Sequence, residues 1–304
     1  MPKNILITGA SGLIGSRLTE LLLQKGHHVS HLGRSKKQGV APSYVWDIQK
    51  KQIDKNAVMN ADAIVHLAGA GVMDKRWTKQ RKKEMLESRT HSTSFLLESL
   101  QKYNHHIASL ISASAIGYYG ICDQEEFLTE ESQPGTDFLA QVTREWEQEV
   151  DKFTTLGIRI VKLRIGIVLS ERGGALKSMA LPVRLGIGAP LASGNQYLSW
   201  IHIDDLCQMF IKSIEDESVH GAYNAVGVKP VTNKEMTRSI ARILKRPLWL
   251  PPVPAFVLKL ILGEMASAVI QGNKISSQKI QVTGFQFRFT DLENALKDLF
   301  KVAK

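Results

Sequence analysis

Short apolar runs alternate with longer segments in which apolar residues recur every third or fourth position. The run around Ile5-Leu6-Ile7 predicts a buried strand over residues 3–8. Leu13, Ile14, Leu18, Leu21 and Leu22 recur at helical spacing and predict a helix over 13–25, ended by Gly26. Further strands are predicted at 28–32, 44–46, 63–67, 108–113 and 159–164, with helices over about 78–103 and 138–153. Strand and helix in alternation imply a parallel sheet covered on both faces. After Ile165 the pattern breaks up among Gly166, Gly173, Gly174, Pro182, Gly186, Gly188, Pro190 and Gly194. Core-like strands return at 199–203 and 222–225, with a helix between them for which Asp204 is the expected N-cap. From Pro230 the chain is helical and amphipathic, interrupted by Pro247, Pro251, Pro252 and Pro254. The expected fold is α/β: a Rossmann-type doubly wound parallel sheet with a smaller, mostly helical C-terminal substrate lobe. Residues 1–170 form the sheet domain, completed by about 197–228, and residues 171–196 and 229–304 form the lobe.

The first strand runs into Thr8-Gly9-Ala10-Ser11-Gly12-Leu13-Ile14-Gly15 and then into the first helix. In that position each glycine has a task. Gly9 allows the tight turn, Gly12 lets a pyrophosphate reach the backbone, and Gly15 lets helix and strand pack closely. The amides and dipole of the helix N-terminus, around Ser11 to Ile14, favour phosphate there. The second strand ends at Gly33-Arg34-Ser35, and no acid occurs between Glu20 and Asp47 to hold a ribose 2′-hydroxyl. Arg34 can instead fork onto a 2′-phosphate, so the expected cofactor is NADP(H). Asp47, after the third strand, is placed to accept a bond from the adenine amine. His66 reads better as a core histidine than as a catalytic one.

The chain has 304 residues and a net charge of +10. The densest basic stretch, Lys75 to Lys83, precedes Glu84 and Glu87 and reads as a solvated helix face, so no nucleic-acid partner is expected. No segment is long and apolar enough for a membrane helix, and no secretory leader is recognisable. Cys122 and Cys207 make neither a disulfide framework nor a metal cluster, and a reducing cytoplasm fits them. A small-molecule substrate is the expected partner, and a homodimer is compatible with the sequence. His202 with Asp204 and Asp205 reads as a strand end rather than a catalytic pair. Trp200, Trp249 and the prolines of 247–254 read as packing rather than pocket lining.

Together these segments resemble the extended short-chain dehydrogenase/reductase superfamily. The glycine turn, His66-Leu67-Ala68-Gly69, Ser112-Ala113-Ser114-Ala115 with Tyr119-Gly120, and Trp200 to Leu206 carry that likeness. A closer resemblance is to its epimerase-like 39U branch, on Arg76-Trp77, Ser88-Arg89, Gly117 to Gly120, Trp146-Glu147, Arg164 to Leu169, Gly263-Glu264 and Thr283 to Phe287. That resemblance implies NADP contacts at Gly33, Arg34, Leu67, Ala68, Glu84, Arg89 and Arg164, with Gly69 in the same wall. One departure is Ala70-Gly71, where the branch commonly carries Glu-Asn or Glu-Pro. Active members of the superfamily use a Tyr-x-x-x-Lys pair, in which the lysine lowers the tyrosine pKa. None of the 6 tyrosines is followed by lysine at that spacing. By the resemblance the two positions fall on Phe138 and Val142. Ser114 matches the superfamily's oxygen-binding serine, and Tyr118 and Tyr119 are the replacement acids expected of an oxidoreductase or epimerase-like enzyme. The alternative is a non-catalytic NADPH-binding sensor. Gly12→Val is expected to abolish NADPH binding in a folded protein, because its side chain fills the space of the phosphates. A fluorescence titration with circular dichroism checks this, and normal binding by the variant would remove the turn from the cofactor site.

Overall fold

The computed structural model describes residues 1–122 and 126–301. In chain order the first half contains β1 (Asn4–Thr8), α1 (Leu13–Gln24), β2 (His28–Gly33), β3 (Ser43–Asp47), β4 (Gln52–Ile53), α2 (Lys55–Met59), β5 (Ala63–His66), α3 (Lys79–Lys102), β6 (Ser109–Ala115) and α4 (Phe138–Asp151). The second half contains β7 (Arg159–Ile165), β8 (Ile167–Leu169), α5 (Gly174–Arg184), β9 (Tyr197–Leu198), β10 (Trp200–His202), α6 (Ile203–Glu215), β11 (Gly221–Ala225), β12 (Val231–Thr232), α7 (Asn233–Ile243), α8 (Ala255–Leu262), α9 (Ser267–Ile270), α10 (Gln278–Val282) and α11 (Leu292–Leu299).

Eight strands form the main sheet in the order β11-β7-β6-β5-β1-β2-β3-β4. Every pairing is parallel except β3 with β4. The order reverses between β1 and β5, the switch point where doubly wound sheets bind ligands beyond the carboxyl ends of their strands. The central strands carry apolar residues on both faces, such as Ile5, Leu6, Ile7, Ile64 and Val65, all buried. Helices α1 and α6 pack together against the sheet, as do α3 and α4. Strand β11 returns to the sheet edge beside β7, as expected for residues beyond 196. Strand β10 does not join it. It pairs with β8 in a separate two-stranded ladder, which turns the chain toward the C-terminal lobe.

The start of α6 differs from expectation. His202, not Asp204, is the N-cap, with its Nδ1 accepting from the Asp204 amide at 3.1 Å. Asp204 instead takes both ends of the Arg17 guanidinium, at 2.7 and 3.0 Å. Asp205 is buried and accepts the amides of Arg288 and Phe289, so it ties the C-terminal segment to the sheet domain. His202 is itself buried and stacks on Phe289 with ring centroids 3.8 Å apart. Trp200 is fully enclosed, whereas Trp249 lies exposed on the surface and donates to the Gly186 carbonyl.

His66 is a core group whose bonds fix its tautomer. The Thr93 hydroxyl donates to the Arg89 carbonyl, so it accepts from Nε2–H at 3.1 Å. The Thr8 hydroxyl accepts from the Leu67 and Ala68 amides and donates to Nδ1 at 2.8 Å. A second ring proton would face the Thr8 proton, and burial lowers the His66 pKa to about 4. The unfolded value is near 6.5, so the unfolded chain takes up the proton first and stability falls as pH drops below about 6.5. Between pH 7 and pH 5 this group is expected to cost about 2 kcal/mol of stability. Urea unfolding of wild type and His66→Gln at both pH values checks it; identical pH dependence in the two proteins would refute the assignment.

Candidate functional site

The turn between β1 and α1 is shaped by what its glycines exclude. Gly9 has φ +67°, and a Cβ there would lie 2.7 Å from the Leu67 carbonyl oxygen. A Cβ on Gly15 would lie 2.6 Å from the Ala10 Cα. A Cβ on Gly12 meets only the Gly9 oxygen, at 3.3 Å, and otherwise points into open space. No side chain caps α1 at Gly12. Its first-turn amides, over Leu13, Ile14 and Gly15, are therefore left for a ligand, and exposed Ser11 stands beside them. A bound dinucleotide's pyrophosphate fits this cradle.

The next strand end carries positive charge. Arg34 and Ser35 are exposed beyond Gly33, and Arg34 makes no hydrogen bond or ion pair with another described residue. Glu84 lies within electrostatic reach of it. The Glu84 carboxyl is held below its usual value first by its bond to Arg81, then by the charges of Arg81, Lys75 and Arg34. Asp47 accepts the Lys50 amide at 3.0 Å through one carboxylate oxygen, which makes it a turn residue as well. The basic stretch is not wholly solvated. Arg81 is buried and donates to the Gly71 carbonyl as well as to Glu84.

Glu84 and Arg89 share α3 but do not pair. Arg89 lies inward against Gly69, where a Cβ would come 3.2 Å from the guanidinium carbon. Its guanidinium sits 5.2 Å from the Trp146 ring centre and donates to the Met85 carbonyl. No carboxylate among the described residues pairs with it, and burial lowers its pKa to about 10. Arg89 is half-buried, and a partly desolvated cation with no protein carboxylate can accept an anion brought by a ligand.

Beyond Arg89 a cleft of about 1010 Å3 opens between the sheet and the C-terminal lobe. Phe138 and Val142 line it, as the resemblance implies for the positions of the superfamily's tyrosine and lysine. Ala115 lines it too, but Ser114 does not. Strand β6 runs to Ala115 rather than ending at Ala113, and alternate residues of a strand point to opposite faces. The expected oxygen-binding serine is thus corrected: its neighbour alanine faces the cleft. The Ser114 hydroxyl donates to Glu147 at 2.5 Å on the other side.

That other side holds three more residues expected at the site. Arg164 stands opposite Ser114 in the register of β6 and β7. It is buried and grips both Glu147 oxygens at 2.9 and 3.0 Å. Its guanidinium lies 3.4 Å from the centre of the Tyr118 ring. The Tyr119 hydroxyl accepts from Arg164 and donates to the Asn224 side chain at 2.6 Å. Burial pushes the Tyr119 phenol up to about 12, with Arg164 opposing in part. Neither Tyr118, Tyr119 nor Arg164 lines the cleft, because the pleat that turns Ser114 away carries the facing Arg164 with it. These residues form a buried brace joining β6, β7, β11 and α4. Two lining groups that sequence reasoning passed over are Lys82 and Glu264, which form an ion pair from α3 to the lobe.

Comparisons with known proteins agree with this architecture. Residues 5–226 match the NAD dependent epimerase/dehydratase family, and residues 253–299 match a domain of unknown function, DUF1731. Epimerase family protein YfhF of Bacillus subtilis is 35% identical over 298 residues, 97% of each chain. The chloroplastic SDR39U1 homolog of Arabidopsis thaliana is 36% identical over 304 residues, 98% of this chain and 86% of the relative. The crystal structure of human epimerase family protein SDR39U1 with NADPH superposes with a TM-score of 0.88 at 30% identity, covering 99% of this chain and 100% of that one. UDP-glucose 4-epimerase of Thermus thermophilus, in complex with NAD, shares the fold with a TM-score of 0.75 at 20% identity. The chain, with its glycine turn, doubly wound sheet and C-terminal lobe, belongs to the NAD dependent epimerase/dehydratase family.

Proposed function

We propose that this protein binds NADP(H) along the carboxyl edge of its sheet and acts as an atypical oxidoreductase on a small carbonyl compound, without a tyrosine–lysine proton relay. The observation that carries the cofactor assignment is Arg34, an exposed arginine with no hydrogen-bond or ion-pair partner among the described residues and no acid near it along the strand end between Glu20 and Asp47. NADPH in the human relative is consistent with it. In this reading the turn from Gly9 to Gly15, with Ser11, Leu13 and Ile14, holds the pyrophosphate. Gly33, Arg34 and Ser35 hold the 2′-phosphate, with Glu84 flanking them. The Asp47 oxygen that does not hold the Lys50 amide, 3.8 Å from the Lys50 ammonium, takes the adenine amine. Leu67, Ala68 and Gly69 form the wall behind the cofactor, and Arg89 supplies a cation to its inner half. When bound, the nicotinamide supplies or accepts a hydride. The groups at Ala115, Phe138 and Val142 exclude water and hold no proton. A second reading, an NADPH-binding sensor without turnover, is favoured by that same apolar triad. NADPH bound tightly but oxidised by no carbonyl or conjugated acceptor would support it.

A charge-assisted hydrogen bond contributes about 1.5–3 kcal/mol. Arg34→Ala is therefore expected to weaken NADPH by about tenfold to a hundredfold and to leave NADH almost unchanged. Fluorescence titration with both cofactors checks it, and equal losses would sink the 2′-phosphate assignment. Ser114→Ala and Tyr119→Phe are expected to keep NADPH oxidation at the wild-type rate on any substrate that is turned over, since neither hydroxyl reaches the cleft. A rate loss in either, with stability unchanged, would return them to the reaction.

A further inference from the structure

The cleft lining is more selective than the family name suggests. We propose that, on the reading above, its substrate is a ring-bearing conjugated molecule with an acidic group, rather than a sugar. The inner wall is aromatic and apolar: Trp77 and Phe138 meet edge to face with centroids 5.6 Å apart, and Val142 and Trp146 continue the surface.

Most of the polar side chains in that wall are already committed, those of Tyr197 and Gln271 excepted. The Thr143 hydroxyl donates to the Leu139 carbonyl at 2.8 Å. The Ser199 hydroxyl donates to the Asn273 carbonyl and accepts the Ile275 amide. The Asp137 carboxylate holds the amides of Ile121 and Ala140, one on each oxygen. The Asn273 amide group donates to the Gly120 carbonyl at 2.7 Å. A sugar ring entering here would lose water from its hydroxyls and find few free partners, at a cost of about 1–3 kcal/mol for each bond left unmade. An apolar ring loses nothing comparable and gains the aromatic surface.

The charges in the lining favour an acid. Lys259 on α8 lines the cleft and has no carboxylate partner among the described residues. Lys82 lines it as well, with its ammonium 5.1 Å from the Phe138 ring centre, but its charge is met by Glu264, so Lys259 is the cation left for a ligand acid. A conjugated acceptor also suits a wall that holds no acid. A bound nicotinamide would supply the hydride, its C–H electron pair forming the new bond to hydrogen on the acceptor. The electron pair displaced on the acceptor would spread over its conjugated system, and the reduced product would take its proton from bulk water on leaving the cleft.

The test uses anthraquinone-2-carboxylate, unsubstituted anthraquinone and UDP-glucose as probes, with and without saturating NADP+. Binding is read by quenching of tryptophan fluorescence and by calorimetry, and NADPH affinity is measured on the same samples. The carboxylate is expected to bind at least about tenfold more tightly than UDP-glucose. Lys259→Glu is expected to weaken the carboxylate by about tenfold and leave anthraquinone unchanged. Phe138→Leu, which keeps most of the buried volume, is expected to weaken both. UDP-glucose binding as tightly as the carboxylate would overturn the proposal, and so would indifference to Phe138→Leu and Lys259→Glu. Normal NADPH binding with no carboxylate binding would refute this inference alone. Failure of NADPH to bind would refute the cofactor reading, and the samples without NADP+ would still decide the cleft's preference.

Discussion

The pleat at the carboxyl end of β6 sets what the rest of the site can do. Successive residues of a strand face opposite sides, so one hydroxyl cannot serve both. Ser114 faces α4, where Glu147 accepts its hydrogen bond. Ala115 faces the cleft with nothing to donate. Once that parity is fixed, Arg164 must follow Ser114, because the two are partners across β6 and β7. Two walls result: a charged, closed one behind the sheet end and an apolar, open one in front.

The closed wall has its own energetics. Removing the charges of Arg164 and Glu147 from water costs several kcal/mol for each ion, and their fork-on-fork geometry offsets that cost. Ser114, Tyr119 and Lys162 satisfy the remaining positions. Asn224 extends the brace into the lobe, through its bond to the Ser276 carbonyl. Such a network contributes more to a single arrangement of the strand ends than to net stability. Its members are polar residues beside the cleft that hold one another and so act as scaffold.

How much of this was legible in the sequence depended on how local the deciding interaction was. The β1–α1 turn was legible because Gly9, Gly12 and Gly15 record backbone geometry directly, and Arg34, singled out by the missing acid in the strand end, lies exposed. The positions of Phe138 and Val142 followed from resemblance, and both line the cleft. Ser114 was misassigned because the face of a strand residue depends on where the strand ends, and β6 runs past Ala113. Glu84 and Arg89 lie on the expected helix, but their neighbours are decided by Arg81 and Gly69, and periodicity does not report such contacts. Arg164 pairs with Glu147 from another element, and Lys82 with Glu264 from the far lobe. His202 took the cap expected of Asp204 because Asp204 is drawn to Arg17, far away in the chain.

The ion pair between Lys82 and Glu264 joins α3 to the C-terminal lobe along the lining of the cleft. Both groups remain partly in water, Glu264 with 64% of its side chain exposed. A pair of that kind holds by about 1 kcal/mol or less and weakens further as salt screens it. A contact of that kind stores almost no energy, so it ties the two halves only loosely and more loosely still as salt rises. Selection among molecules then falls to the apolar and aromatic walls of the cleft rather than to this pair.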